Sequence, residues 1–372
     1  MSANPLTIEA AGGGRRTNLL NLPPERLAEL FVSLGEKPYR ARQIMRWVYQ
    51  RGVTNFAAMT DLSAKLRARL DELAEIATPK VLRHEHSADG TRKWLLDVGA
   101  GQAVEAVFIP EPNRATLCIS SQAGCALDCA FCATGRQGFN RNLEIGEILG
   151  QVVHARREVA PVEITNVVFM GMGEPLANYR NVVPVAKLLL DDRAFGLSRR
   201  RVTISTAGLV PQILRLAEDC NTALAVSLHA PTDELRDRLV PINRIHPIAE
   251  LLDACWRYAE GLASRQITFE YVMLDRVNDG PAEARQLVRL LKNRPAKVNL
   301  IPFNPFPDAG FECSTPEAID RFWQTLRSAG IVATIRRPRG DDIAAACGQL
   351  AGRVRDRRRV RLGEKLSSIA EH

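Results

Sequence analysis

From about residue 114 onward, short apolar runs rich in β-branched residues alternate with longer amphipathic runs of helical period. The short runs are LCIS, NVVFM, VTIST, ALAVSLH, ITFEYVML, VNLIPF and IVATIR. Between them lie runs such as EIGEILGQVVHARR, NVVPVAKLLLDD and PAEARQLVRLLKN. Such alternation predicts an α/β fold, a parallel sheet with helices outside it. Polar residues gather just after the short runs, as in barrel enzymes whose sites lie at the C-terminal mouth.

The first third of the chain has a different pattern. Residues 1–18 read as a flexible arm. Residues 19–78 predict a small helical domain. PPERLAELFVSLG starts with proline in its first turn and stops at Gly35, and two more amphipathic runs follow, YRARQIMRWVYQRG and DLSAKLRARLDELAEI. Its bases Arg40, Arg42, Arg46, Arg51, Lys65, Arg67 and Arg69 suit docking to a polyanion. Residues 79–113 read as a connector of short strands, with Asp89-Gly90 as a hairpin turn. His84 and His86 alternate on one of those strands; with no cysteine partner nearby they read as ordinary strand residues. The catalytic region is then 114–352, and 353–372 is a basic tail.

Composition narrows the function classes. A chain of 372 residues with 46% apolar positions builds a full core, so disorder is not the default. Its formal charge of +8 suits a polyanionic partner. Bases cluster at Arg199, Arg200 and Arg201, at Arg336, Arg337 and Arg339, and in RVRDRRRVRLGEK. Eight cysteines in a chain this long are not a disulfide framework. The start, MSANPLTIEAAGGGRRTN, lacks the apolar stretch of a signal peptide, and no window approaches a membrane span. A cytoplasmic location and no membrane partner are expected.

The most specific chemistry lies in GCALDCAFCATG. Cys125, Cys129 and Cys132 have the spacing C-x3-C-x2-C. Three thiolates hold three irons of a [4Fe–4S] cube and leave one iron open to a ligand. Structural zinc normally takes two C-x2-C halves, and the second half is absent. Other polar residues end the predicted strands: Gly171, Gly173 and Glu174 after NVVFM, Ser205 in VTIST, Ser227, Leu228 and His229 in ALAVSLH, and Asn304 in VNLIPFN. Glycines there allow close backbone approach to a ligand, and Glu174 can accept from an ammonium.

The cysteine spacing, with Phe131 before the third cysteine, resembles the radical S-adenosylmethionine superfamily. The stretches CISSQAGC, FCATG, FMGMGEPLAN, VTISTAG, VSLHAP, PINR, YVMLD, VNDG, NLIPFNPFP and RGDDIAAACGQLAG, spread over roughly residues 116 to 352, resemble the bacterial adenine-C2 RNA methyltransferase family. That resemblance implies a partial (β/α)6 radical barrel with a helical accessory domain. It also implies a [4Fe–4S] cluster and two molecules of S-adenosylmethionine per turnover, the latter bound at Gly173, Glu174, Ser205, Ser227, Leu228, His229 and Asn304. The implied substrates are adenine 2503 of 23S rRNA and adenine 37 of a subset of tRNAs. An electron donor such as a flavodoxin system and a monomeric enzyme are also expected from it. Cys118 and Cys347 resemble the family's catalytic pair, and Glu105 its proton acceptor.

The chemistry makes sense of such a pair. Adenine C2 lies between two ring nitrogens and is electron-poor, so it cannot displace a sulfonium methyl directly. A thiolate can. Under the family mechanism Cys347 carries the methyl, Glu105 or Cys118 removes the C2 proton, and Cys118 releases the product through a transient disulfide with Cys347. Glu105 could equally be a strand residue facing solvent. Cys220, Cys255 and Cys313 match no motif and read as structural. Two rival readings remain at this point: the C8-adenine methyltransferases of the antibiotic-resistance type, and a non-catalytic iron–sulfur RNA-binding protein.

Overall fold

The computed structural model describes residues 16–262 and 266–357. Most of the expected arm, and the basic tail beyond residue 357, lie outside the described residues. Strand β1 (Thr17–Asn18) opens the helical module, followed by α1 (Pro24–Ser33), α2 (Arg40–Met45) and α3 (Ala64–Leu73). Strand β2 (Ala74–Glu75) returns parallel to β1 and closes it. Helix α1 stops where Gly35 takes φ +76°, and the Glu36 N–H turns back to the Phe31 carbonyl at 2.9 Å. Ser63 caps α3 by accepting from the Leu66 N–H at 3.2 Å. Leu27, Leu30, Phe31, Ile44, Leu66 and Leu70 are buried and join the main core.

The module meets the rest of the chain through directed bonds. The Asn21 side chain accepts from the Gly146 N–H at 2.6 Å and donates to Glu144 at 2.8 Å, and Arg156 donates to the Tyr49 carbonyl.

Three antiparallel strands come next, β3 (Lys80–His86), β4 (Arg92–Asp97) and β5 (Ala103–Glu111). Strand β6 (Arg114–Cys118) pairs antiparallel with β5 and begins the parallel part. The segment after it holds β7 (Gln122–Gly124), the cysteine loop, α4 (Ala133–Arg136), β8 (Phe139–Asn142) and α5 (Ile145–Glu158).

Strands β9 (Asn166–Phe169), β10 (Val202–Thr206), β11 (Ala223–Ser227), β12 (Ile267–Met273), β13 (Ala296–Pro302) and β14 (Val332–Ile335) follow. Between them run α6 (Tyr179–Leu190), α7 (Val210–Asp219), α8 (Asp233–Leu239), α9 (Ile248–Glu260), α10 (Pro281–Leu291) and α11 (Pro316–Ser328).

The ten-stranded sheet has the order β14-β13-β12-β11-β10-β9-β6-β5-β4-β3. Its seven parallel strands follow one another without the reversal of a doubly wound sheet, so the sheet curls in one direction, as in a barrel. The C-terminal ends of these strands therefore converge on one mouth.

Candidate active site

The mouth is a cavity with about 940 Å³ between its walls, the open rim included. Cys125, Cys129 and Cys132 line one end of it. Gly171, Gly173 and Glu174 from the β9 loop, Ser205 from β10, Ser227 and His229 from β11, Asn304 after β13, and Cys347 line the rest. Sequence-distant residues with matched chemistry thus share one space.

The cysteine loop is held open at its ends. Cys125 donates its N–H to the Gly138 carbonyl at 2.7 Å, and Gly124 and Gly138 take φ +82° and +86°. A Cβ on Gly124 would lie 2.0 Å from the Gly138 oxygen, so the two chains meet only through glycine. Burial raises the Cys129 thiol well above its usual range, and Cys125 and Cys132 raise it further, so the three sulfurs feel one another. The three cysteines line one cavity, and three thiolates are the ligand set that holds three irons of a [4Fe–4S] cube.

Glu174 sits beside them, buried. Its Oε1 accepts from the Leu176 N–H at 2.9 Å and its Oε2 from the Ala207 N–H at 2.7 Å. Burial nevertheless pushes its carboxyl up to about 7. A cation placed in the cavity would offset that burial. The glycines beside it line the cavity and also serve packing. A Cβ on Gly171 would lie 2.7 Å from Ile119 and Ser120, and one on Gly173 2.5 Å from Gln122, so their bare Cα atoms let the β9 loop pack on the segment after β6.

His229 has φ +59° and is buried. Its Nδ1 faces the Val272 N–H at 3.0 Å, so Nδ1 is the acceptor and the ring proton is on Nε2. Burial, then Arg236, lowers it to about 3, which keeps it neutral. Phe131 packs edge-on against the ring at 4.4 Å. Asn304 donates to the Cys347 carbonyl at 3.2 Å. Leu228 does not reach the cavity: its side chain is in the core, its N–H goes to the Glu270 carbonyl and its carbonyl to Arg236.

Cys118 is buried at the end of β6, and Cys347 lies on the loop after β14. Burial pushes Cys118 up to about 12, with Cys347 the next cause, so the two sulfurs are electrostatic neighbours. Glu105 is not at the surface. It is buried in β5, paired with Lys93 at 3.4 Å, and its Oε2 accepts from the Ala351 N–H at 2.9 Å. The alternative of a solvent-facing strand residue is therefore overturned, because register puts Glu105 on the same sheet face as Cys118: Val107, two residues on, pairs with Cys118. Glu105 does not itself line the cavity.

Three residues that sequence reasoning missed organise the walls. Arg236 is buried and donates to the carbonyls of Leu228, Ala207 and Ser227 and to Asn243, which ties the ends of β10 and β11 together. Glu270 lines the cavity and accepts from Asn299 at 2.7 Å. Arg336 lines it too; the nearby Cys347 sulfur raises its guanidinium above the usual range, and Glu270 and Cys118 act the same way against the opposing effect of burial. The lone Glu in ITFEYVML was a visible signal for one of them.

The basic residues divide. Arg40 is paired with Glu36, Arg67 donates to the Ala57 carbonyl, Arg69 to the Leu34 carbonyl, and Arg51 stacks on Trp47, whereas Arg42, Arg46 and Lys65 are exposed. Arg199 to Arg201 precede β10 and so lie at the end of the barrel away from the mouth. Arg339 pairs with Asp89 at 3.6 Å.

Comparison with known proteins agrees with this geometry. Residues 17–76 match the ribosomal RNA large subunit methyltransferase N-terminal domain, and residues 119–288 match the radical SAM superfamily. A crystal structure of a radical SAM methyltransferase from Sphaerobacter thermophilus is 46% identical with a TM-score of 0.85, covering 90% of this chain and 99% of that one. A domain of the pyruvate-formate lyase-activating enzyme from Bacteroides vulgatus is 19% identical with a TM-score of 0.36, over 46% of this chain and 99% of that one. SuiB of Streptococcus suis bound to S-adenosylmethionine is 13% identical with a TM-score of 0.44, over 61% and 52%.

Proposed function

The chain belongs to the radical S-adenosylmethionine methyltransferases, an RNA-methylating enzyme using a [4Fe–4S] cluster and S-adenosylmethionine, and from that premise we propose that it methylates C2 of adenine in 23S rRNA and tRNA through Cys347. The observation that carries this is the presence of Cys347 in the cavity lined by the three cluster cysteines, with Cys118 as its electrostatic neighbour. A ring carbon that cannot itself displace a sulfonium methyl calls for a thiol carrier next to radical chemistry, and the stretches MGMGEPL, MLDRVND, NPFP and RGDD favour C2 over C8. Adenine 2503 and adenine 37 are the positions the family resemblance points to.

When bound, the cluster supplies the electron that cleaves S-adenosylmethionine to a radical. Cys125, Cys129 and Cys132 would hold it. Glu174 would accept from the ammonium of the methionine moiety, and the Nε2–H of neutral His229, the hydroxyls of Ser205 and Ser227, and Asn304 would offer it hydrogen-bond partners. Cys347 takes the methyl polarly: its S–C bond forms as the sulfonium C–S bond breaks.

Burial and then the neighbouring Cys347 sulfur push Cys118 up to about 12, which keeps it a protonated thiol. Once the carbon has joined C2 and the C2 proton has left, the Cys118 thiolate attacks the Cys347 sulfur. The S–S bond forms and the C–S bond breaks with its electron pair on the former methylene carbon, which takes a proton to become the methyl group. An external thiol reductant returns the disulfide to two thiols. A thiol raised to about 12 is a poor proton acceptor, so we assign the C2 proton to Glu105, on the same sheet face.

The test is nucleoside mass spectrometry of rRNA and tRNA after incubation with cluster-loaded protein, S-adenosylmethionine and a reductant. We expect 2-methyladenosine in both RNAs. Appearance of 8-methyladenosine instead, or of neither product while S-adenosylmethionine is cleaved, defeats the reading.

A further inference from the structure

Cys347 sits in a stretch with little secondary structure. Between β14 and residue 357 the described chain forms only one 3-10 turn, Asp341–Ile343, besides an isolated bridge from Arg353 to Ala103. Ala344, just past that turn, has φ +47°, a conformation an alanine keeps only when its surroundings hold it. The position of the thiol therefore depends on side chains reaching in from elsewhere.

Lys93, in β4, is the residue that reaches furthest. Its Nζ lies 3.4 Å from Glu105 Oε1, 3.2 Å from Glu85 Oε2 and 3.3 Å from the Ala344 carbonyl oxygen. The ammonium donates a hydrogen bond to the Ala344 carbonyl and is paired by charge with the two carboxylates. The side chains of Lys93 and Glu105 are 5% and 4% exposed. The other oxygen of Glu105 accepts from the Ala351 N–H at 2.9 Å. Ala344 and Ala351 are the two ends of the loop whose middle is Cys347. One buried ion pair thus grips both ends, through a carbonyl on one side and an N–H on the other.

Register explains why the pair can form. Glu85, Lys93, Val107 and Cys118 are successive partners across β3, β4, β5 and β6, and Glu105 is diagonal to Lys93 on the same face. The clamp is built on the same strands as Cys118, so it locates the carrier thiol relative to the resolving one.

We propose that Lys93 is a positioning residue for Cys347: with Glu105 it ties both ends of residues 344–351 to the antiparallel strands and holds the thiol at the cavity. The inference rests on Cys347 being the methyl carrier. A buried ion pair is a poor device for stability alone, since apolar replacements often serve as well, but it has direction, and both partners aim at backbone groups of one loop.

The test is hydrogen–deuterium exchange on the cluster-loaded full-length protein, together with methylation kinetics. In Lys93→Met, exchange of peptides spanning 344–351 should rise about tenfold or more while β10 and β11 keep their protection, because only the local opening free energy changes. The kcat for RNA methylation should fall by about tenfold with the KM for RNA unchanged, and Lys93→Arg should recover much of both. Unchanged exchange at 344–351 in Lys93→Met overturns the clamp, whatever happens to activity. If Lys93→Met loses protection everywhere, Glu105→Gln takes its place, since it keeps shape and an oxygen for Ala351 while removing the charge. A few-fold rise confined to 344–351 supports the clamp and no rise overturns it. Cys347→Ala tests the carrier separately: methylation by that variant sinks the carrier role, and the exchange result stands independently of it.

Discussion

The two walls of the cavity are built by different means. On one wall, Glu174, Ser205, Ser227 and His229 stand at the ends of parallel strands, and backbone hydrogen bonds hold them: Ala207 and Leu176 N–H groups on Glu174, the Val272 N–H on His229. On the other wall, Cys347 stands on an irregular loop held by side chains, Lys93 with Glu105 and Asn304 among them. A cofactor that must bind the same way every turnover suits the first wall. The proposed carrier role, in which the thiol receives a methyl, approaches a base and then meets Cys118, suits the second, where a few bonds decide its place.

The largest expected effect breaks the first wall. Cys129→Ala should lose the visible absorbance of the cluster and all methylation, and full iron content with activity in that variant would refute the ligand assignment.

The second wall is tested by separating Cys347 from its buried neighbour Cys118. Cys347→Ala should abolish methylation with no RNA attached to protein. Cys118→Ala should accumulate a covalent protein–RNA species, since loading and carbon transfer proceed but release needs a second thiolate. Denaturing gels before and after ribonuclease read this directly. An adduct in Cys347→Ala, or free turnover by Cys118→Ala, reverses the roles.

A pH experiment sharpens how firmly the first wall is fixed. The imidazole of His229 is lowered from 6.5 to about 3 by burial and then Arg236. The unfolded chain therefore binds a proton that the folded chain does not. Stability contributed by the neutral ring is fully present above about pH 6.5 and is lost as pH falls toward 3, on the order of 4 kcal/mol in all. His229→Asn keeps an acceptor for the Val272 N–H and tolerates φ +59°, so it should flatten the acid limb of urea midpoints measured between pH 7 and 4. An unchanged acid limb would mean His229 is not the group responsible.

The smallest effect carries the same distinction to the surface, between groups held by the chain's own bonds and groups left for a partner. Arg42→Glu and Arg46→Glu should weaken RNA binding and lower the salt slope by about 0.9 for each duplex phosphate no longer neutralised. Arg69→Gln should leave the slope alone, because Arg69 already donates to Leu34. Equal slopes in all three would remove the helical module from the docking surface.

Much of this was legible along the chain. The alternation of short apolar and amphipathic runs named all seven parallel strands, because strand and helix periods depend on local neighbours. The C-x3-C-x2-C loop was equally readable, since its ligands lie within eight residues, as were the polar residues ending each strand. Tertiary structure alone decided the rest. Glu105, a charge between apolar neighbours, looks the same facing water or core, and only the pairing with Lys93 across β4 and β5 shows it buried. Arg236 reads as a helix-surface base until its guanidinium is found on three carbonyls of the cofactor wall. Gly171 and Gly173 read as close backbone approach to a ligand, and only the assembled structure adds that a Cβ there would also meet Ile119, Ser120 and Gln122. Pattern along the chain reports each residue's own period and its near neighbours. What a buried charge or a bare Cα faces depends on which distant strand or loop is laid against it, and that juxtaposition exists only once the sheet is assembled.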